Sequence, residues 1–384
     1  MTDAQQGRWA VAAMFLANGF IMGAWAPQIP LLLPRHGIGE AMLGLLILVL
    51  GLGAVAAMLF AGRLIQRHGA RRVLCGFAFA VIPVLPLVVI APNLPLLALA
   101  MALFGALIGC MDVAMNANAV EVERGMRRAI MSSSHGFWSL GGFLGGSIGG
   151  LALAQWGAVA QALGVAAAVA LIVTLAAPRI YAAPETGPMQ DAPKTRLLPR
   201  DPLIWVIGLM ALLCMVPEGA VMDWAALYLL QEHGAGVAVA GMGFALFSGA
   251  MAIMRFAGDA VRNRFGAVLT LRASAILAAL ALMVAAAAPS APVVLVAFAV
   301  AGLGIANTVP IMFSAAGNHP GMASGAALST VTMIGYSGIL VAPSSIGFVA
   351  EHIGFRWTYG ALALLLLVVA ALAGLVRAAD AARH

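Results

Sequence analysis

Twelve apolar runs, each about 20 residues or longer, follow one another along this chain. They fall at roughly 8–33, 39–61, 71–91, 94–119, 130–154, 157–178, 203–230, 237–257, 267–288, 292–316, 322–349 and 354–376. A helix of about 20 apolar residues crosses the hydrocarbon core of a bilayer. Inside lipid every backbone polar group must be satisfied within the structure, which leaves helices or closed barrels. Runs of this length predict an all-α membrane protein with twelve transmembrane helices. With 63% hydrophobic and 9% charged residues, no soluble core of this size could bury the apolar surface.

The cationic residues set the predicted orientation. Arg63, Arg67, Arg71 and Arg72 follow the second run, and Arg124, Arg127 and Arg128 follow the fourth. Arg179, Lys194, Arg196 and Arg200 follow the sixth, while Arg255, Arg262, Arg264 and Arg272 surround the junction of the eighth and ninth. Only Arg35 and Arg356 fall on the opposite side. Positive charge gathers on cytoplasmic loops, so both termini are predicted to be cytoplasmic in an inner membrane. The isoelectric point near 9.9 reflects this bias and gives no sign of nucleic-acid binding. Ala24-Trp25-Ala26 is like a signal-peptidase site, but Pro27 follows it and the run is too long for a signal sequence, so the first helix is read as retained. Cys75, Cys110 and Cys214 fall inside helices without metal-ligand spacing. No metal or cofactor is expected.

Residues 179–202 are polar, with Pro184, Pro188, Pro193 and Pro199, which is linker composition. They divide the chain into an N-terminal six-helix bundle (1–178) and a C-terminal one (203–384). The halves echo each other weakly. Asn18-Gly19 matches Glu218-Gly219, and Gln66-Arg67-His68-Gly69 matches Asn263-Arg264-Phe265-Gly266, at an offset near 200. Two parallel six-helix repeats with a substrate site between them form a transporter layout. Gly62 and Gly69 bracket one matching turn, and Gly258 and Gly266 the other. Together with Arg67, Arg71, Asp259 and Arg264 they read as a cytoplasmic hinge or latch, against the plainer reading of positively charged loops.

Asp112 lies near the middle of the fourth run, and Glu218 and Asp223 lie inside the seventh. A carboxylate at mid-membrane costs about 2.5–3.5 kcal/mol on insertion scales, and such residues usually face a cavity or relay. No Lys or Arg is expected at comparable depth, so the three acids read as proton-coupling groups. Asp112 and Asn116 share a helix face one turn apart. Glu218 and Asp223 are separated by about 140° around a helix. Both therefore cannot face one cavity equally, and Asp223 lies nearer the outer end, where water contact is expected.

Other polar side chains are candidates for binding solute. Trp25, Trp138 and Trp224 lie deep, where an indole can stack on a ring and donate one hydrogen bond. Their alternative is core packing. Trp9, Trp156, Trp205 and Trp357 fall at helix ends and suit interfacial belts. His135, after Ser132, Ser133 and Ser134, reads either as a gating residue or as a packing histidine. Asn18, Gln28, Asn307 and Tyr336 either bind a polar solute or link helices. Gly141-Gly142, Gly145-Gly146 and Gly149-Gly150 repeat every four residues, which is close helix packing and not a phosphate loop. Glu121 and Glu123 beside Arg124 and Arg128 read as a salt-bridge cluster.

The string Gly62-Arg-Leu-Ile-Gln-Arg-His-Gly-Ala-Arg-Arg72 resembles the helix 2–3 signature of the major facilitator superfamily, with Gln66 where an acid is usual. The chain looks closest to the fucose-permease-like branch, particularly its YbjJ-type inner-membrane members. Gly109-Cys-Met-Asp-Val-Ala-Met-Asn-Ala117, Ile130-Met-Ser-Ser-Ser-His-Gly-Phe-Trp-Ser-Leu-Gly-Gly142 and Glu218-Gly-Ala-Val-Met-Asp-Trp-Ala-Ala-Leu-Tyr228 carry that resemblance. It implies a major facilitator fold of two pseudo-symmetric bundles, with Asp112 as the protonatable group near substrate and Asn116 beside it. The branch has a further acid in helix 1, where this chain has Gly23. The repeat offset puts Asp223 opposite Gly23, so the second acid is expected on the symmetry-related helix. The expected activity is alternating-access transport, coupled to protons, of a small polar, sugar-like solute by a monomer in lipid. Alternatives are proton-driven export of amphipathic compounds, which the 21 methionines would suit, and a non-transporting sensor. An enzyme would need a clustered nucleophile and base or metal ligands, and the sequence has neither.

Overall fold

The computed structural model describes residues 3–126, 130–182, 201–317, 319 and 324–383, which form helices and short turns with no strand among them. In the first half, α1 is Asp3–Trp25, α2 Glu40–His68, α3 Ala70–Ala80 resumed at Val84–Ile90, and α4 Leu94–Met126. The chain then forms α5 (131–156) and α6 (158–176). In the second half, α7 is Pro202–His233, α8 Val237–Phe265, α9 Ala267–Ala287, α10 Ala291–Ile305 resumed at Thr308–Gly317, α11 Ser324–Ile353 and α12 Phe355–Leu372. Prolines explain two of the interruptions. Pro27 and Pro30 lie in the 3-10 stretch Ala26–Leu31 that extends α1, and Pro83 precedes the second part of α3; proline has no N–H to give a helix.

Eleven continuous helical stretches are long and apolar enough to cross a membrane, and one of them, Ser133–Arg179, has 47 residues. That is about twice the requirement for one crossing. It is broken at Gly157, where φ is 82°. Gly149 of α5 and Gln161 of α6 both reach Ala24, so the chain doubles back there. The result is twelve crossings.

The internal repeat is written in backbone geometry. Among the described residues six glycines have positive φ: Gly37 (62°) with Gly234 (57°), Gly69 (78°) with Gly266 (83°), and Gly157 (82°) with Gly354 (84°). Each pair is 197 positions apart (234 − 37, 266 − 69, 354 − 157). Residues with a Cβ avoid this region, so equal spacing means equal turns in the two halves. Gly69 and Gly266 lie on the face that carries the N-terminus, here the first face; the other four lie on the second face.

Glycines also set the helix spacing. A Cβ on Gly19 or Gly23 would collide with the backbone of Trp138 or Gly142, and one on Gly141 or Gly145 with Leu16 or Phe20, so α1 and α5 touch backbone to backbone. The second glycine of each pair faces another helix: Gly142 meets Ser248, and Gly146 and Gly150 meet Gly241 of α8. The doubled glycines thus serve two neighbours at once. The second face is closed by contacts between the halves. Glu351 accepts from the Ala41 amide at the start of α2 (2.7 Å), Gln231 donates to Glu40 (2.5 Å), and Gly44 abuts Pro343 and Ser344.

Candidate functional site: a central cavity

A cavity of about 510 Å³ runs from the middle of the bundle toward the first face, between the two halves. This is within the range of roughly 300–1,000 Å³ usual for small-molecule sites. Its first wall comes from α1, α2, α4 and α5, with Asn18, Asp112, His135 and Trp138 as its polar groups. The second comes from α7, α8, α10 and α11, with Glu218, Arg255, Arg262, Asn307 and Tyr336.

Hydrogen bonds lock the first wall. Asn116, one turn beyond Asp112, donates its amide to the Asp112 carbonyl (2.9 Å) and to Oδ1 (3.3 Å). Its own Oδ1 then faces His135 Nε2 at 3.2 Å. Because that oxygen can only accept, Nε2 must carry a hydrogen. Trp138 donates its indole N–H to Asn18 Oδ1 (2.9 Å), and Asn18 donates to the Ile108 carbonyl (3.4 Å). Among the described residues no cation pairs with Asp112.

The second wall is held by charge. Arg255 of α8 reaches Glu218 of α7 at 3.3 Å and, across the boundary between the halves, donates to Ser139 Oγ of α5 at 2.7 Å. Arg262, two turns further on, donates to Ser314 Oγ (2.7 Å) and the Ala379 carbonyl (2.5 Å). Asn307 sits in the break of α10 with its Nδ2 buried and lacking a partner among the described residues, and Gly258 of α8 makes room for it. Tyr336 of α11 lines the same space, within electrostatic range of Asp112, Glu218 and Arg255.

Arg255 corrects the expectation that no cation shares the depth of the acids. Its position near the end of an apolar run suggested a loop, but α8 continues ten residues further, to Phe265. Ten helical residues place Arg255 about 15 Å inside that end. A guanidinium at that depth is tolerated because it faces the cavity and a carboxylate.

Four expected cavity residues lie elsewhere. Asp223 is buried inside the second half, without a hydrogen bond among the described residues, in electrostatic range of Tyr359 of α12. It is not water-exposed, and the positive-φ turns make Ala220 the counterpart of Gly23 at 197 residues. Trp25 packs edge-on against Phe104, and Trp224 packs against Phe355 and Gly347. Gln28 is buried, donating to Gln161 (2.6 Å) and the Ala158 carbonyl (3.0 Å). The two tryptophans thus serve packing and Gln28 links helices, which were the stated alternatives for these three.

On the first face, Gly69 and Gly266 make the tight turns, whereas Gly62 and Gly258 lie inside helices and bracket nothing. Arg71 donates to the Pro178 carbonyl (3.3 Å), Arg264 lies over the Phe265 ring (5.5 Å to its centre) and Arg67 is exposed. None of the three meets a carboxylate among the described residues. The side chains of Gln66, Glu123, Arg124 and Asp259, and residues Arg127, Arg128, Lys194, Arg196 and Arg200, lie outside the described residues.

Twelve crossings around a central cavity with a few polar groups in each wall, and glycine turns repeated in each half, define a membrane carrier of solutes. The chain belongs to the Major Facilitator Superfamily, whose profile matches residues 11–343 and again 218–384. It is a multi-pass membrane transporter and not an enzyme. An uncharacterised MFS-type transporter of Yersinia pestis is 37% identical over 94% of this chain and 92% of its own. The membrane protein MosC of Rhizobium meliloti is 32% identical over 90% and 84%. Among solved structures, the nucleoside transporter NupG superposes with a TM-score of 0.74 (13% identity, 98% and 99% coverage). A D-xylose–proton symporter superposes at 0.72 (16% identity, 97% of each chain).

Proposed function

We propose that this transporter couples movement of a small polar, sugar-like solute to protons by alternating access between two six-helix units, 1–178 and 203–384, joined by 179–202. It belongs on this reading to the fucose-permease-like branch, sits in the inner membrane as a monomer and keeps both termini and the first face in the cytoplasm. The observation that carries the reading is Asp112, a mid-membrane carboxyl facing the cavity with an amide and no cation beside it. Such an acid can gain or lose a proton without stranding a partner charge. Asn18, Trp138, Asn307 and Tyr336 supply hydrogen-bonding groups around the same space. A second reading, export of amphipathic compounds, draws on Met22, Met58, Met215 and Met222, which also line the cavity and adapt to varied apolar shapes.

Reconstituted vesicles with an internal pH-sensitive dye test both readings. Sugars, polyols and nucleosides are offered first, then lipophilic cations. Solute-dependent proton flux that Asp112→Asn abolishes, while solute exchange at equal pH persists, is the expected outcome. Full proton-driven uptake by Asp112→Asn removes Asp112 from the mechanism, and flux with lipophilic cations alone selects the second reading.

A further inference from the structure

A second cavity, about 320 Å³, lies apart from the central one on the outer surface, where α2 turns into α3. Leu64 and His68 of α2 line it with Arg72, Gly76, Phe77 and Ala80 of α3. Arg72, Gly76 and Ala80 are spaced by four and so share a helix face. Nothing lies within 4 Å of where a Cβ on Gly76 would stand, so the middle of the trough is open. The trough begins at Arg72, near the turn, and runs eight residues, or about 12 Å, along the helix.

The two ends of this trough differ in chemistry. His68 and Arg72 are both exposed and, among the described residues, neither has a hydrogen bond or ion pair within the protein. Exposed Arg67 and Arg71 adjoin them. No Asp or Glu occurs anywhere between Glu40 and Asp112, so α3 has no acid and the one on α2, Glu40, lies at the opposite end of that helix. The other end is apolar and belongs to the Ala70–Ile90 span, whose mean hydropathy of 2.8 is the highest of the membrane-crossing stretches. Gly76 and Ala80 are exposed on that span, and an exposed face of a membrane-crossing helix meets lipid.

The geometry points to a binding site for an anionic phospholipid, its phosphate at His68 and Arg72 and an acyl chain along Gly76 and Ala80. A basic residue near a membrane surface favours an anionic lipid by about fivefold. Only a lipid offers both an anion and a chain to fill the apolar part. A free phosphate would use the turn and leave the trough empty.

The test compares protein in vesicles of phosphatidylcholine with protein in a mixture containing phosphatidylglycerol, read by thermal unfolding and by mass spectrometry of retained lipid. The wild type should unfold at a higher temperature in the mixture and retain phosphatidylglycerol at least about fivefold over its bulk proportion. The double variant His68→Gln/Arg72→Gln should lose both effects, and so should Gly76→Phe, which fills the trough and keeps every charge. All variants should unfold like wild type in phosphatidylcholine alone, so that a folding defect is recognised. Equal behaviour in the two lipids, persistence of the preference in either variant, or an equal shift with soluble glycerol phosphate would each overturn the proposal.

Discussion

Across the central cavity, Asp112 meets, among the described residues, only the amide of Asn116, whereas Glu218 meets the guanidinium of Arg255. Both acids reach the same space from opposite halves, yet their partners differ in kind. Protonating Asp112 removes one charge and strands none. Protonating Glu218 leaves the Arg255 guanidinium at depth with a serine hydroxyl and without its counter-charge, and a hydrogen bond to a charged group is worth about 1.5–3 kcal/mol. On the proposed function, the neutral wall handles the proton and the charged wall holds position.

Three substitutions break or sharpen this contrast. The largest effect is expected from Arg255→Met, which leaves Glu218 unpaired. Unfolding in detergent should show a loss of about 1.5–3 kcal/mol, and transport should vanish. The double variant Arg255→Met/Glu218→Gln should recover most of the stability without recovering transport. If the single variant is as stable as wild type, the charged wall is not structural and the contrast fails. A smaller effect is expected at the closed second face, where Glu351 caps α2 of the other half. Glu351→Ala removes a cap of about 1 kcal/mol and should raise second-face opening about fivefold, read as maleimide labelling of Ser344→Cys in a background lacking Cys75, Cys110 and Cys214. Unchanged labelling would mean that the cap does not hold the face shut. The smallest effect belongs to the neutral wall. Trp138→Phe removes the hydrogen bond to Asn18, and such bonds average about 0.6 kcal/mol in membrane proteins. Thermal unfolding should barely move, while KM should rise if the indole touches solute.

The crossings were legible from the sequence because lipid imposes length and apolarity on every span. Even the α5–α6 reversal follows from two runs meeting at Gly157. The direction in which a side chain points was harder to read. Trp25, Trp138 and Trp224 sit in helices apolar on nearly every side, so depth could be read and azimuth could not; only Trp138 faces the cavity. Arg255 was hidden for another reason. Charge near the end of an apolar run reads as a loop, and only the helix's continuation to Phe265 shows otherwise. The 197-residue repeat holds the missing signal, since it aligns Arg255 with Met58, another cavity residue (255 − 197). The same register, in place of an offset near 200, would have kept Asp223 from being matched to Gly23.

Arg255 holds Ser139 in one half of the chain and Glu218 in the other. Parting α5 from α8 at that level takes away one of its two companions, and neutralising Glu218 loosens the other. Posture and ionisation are therefore not independent settings of this molecule: whatever perturbs one is felt by the other through a single side chain.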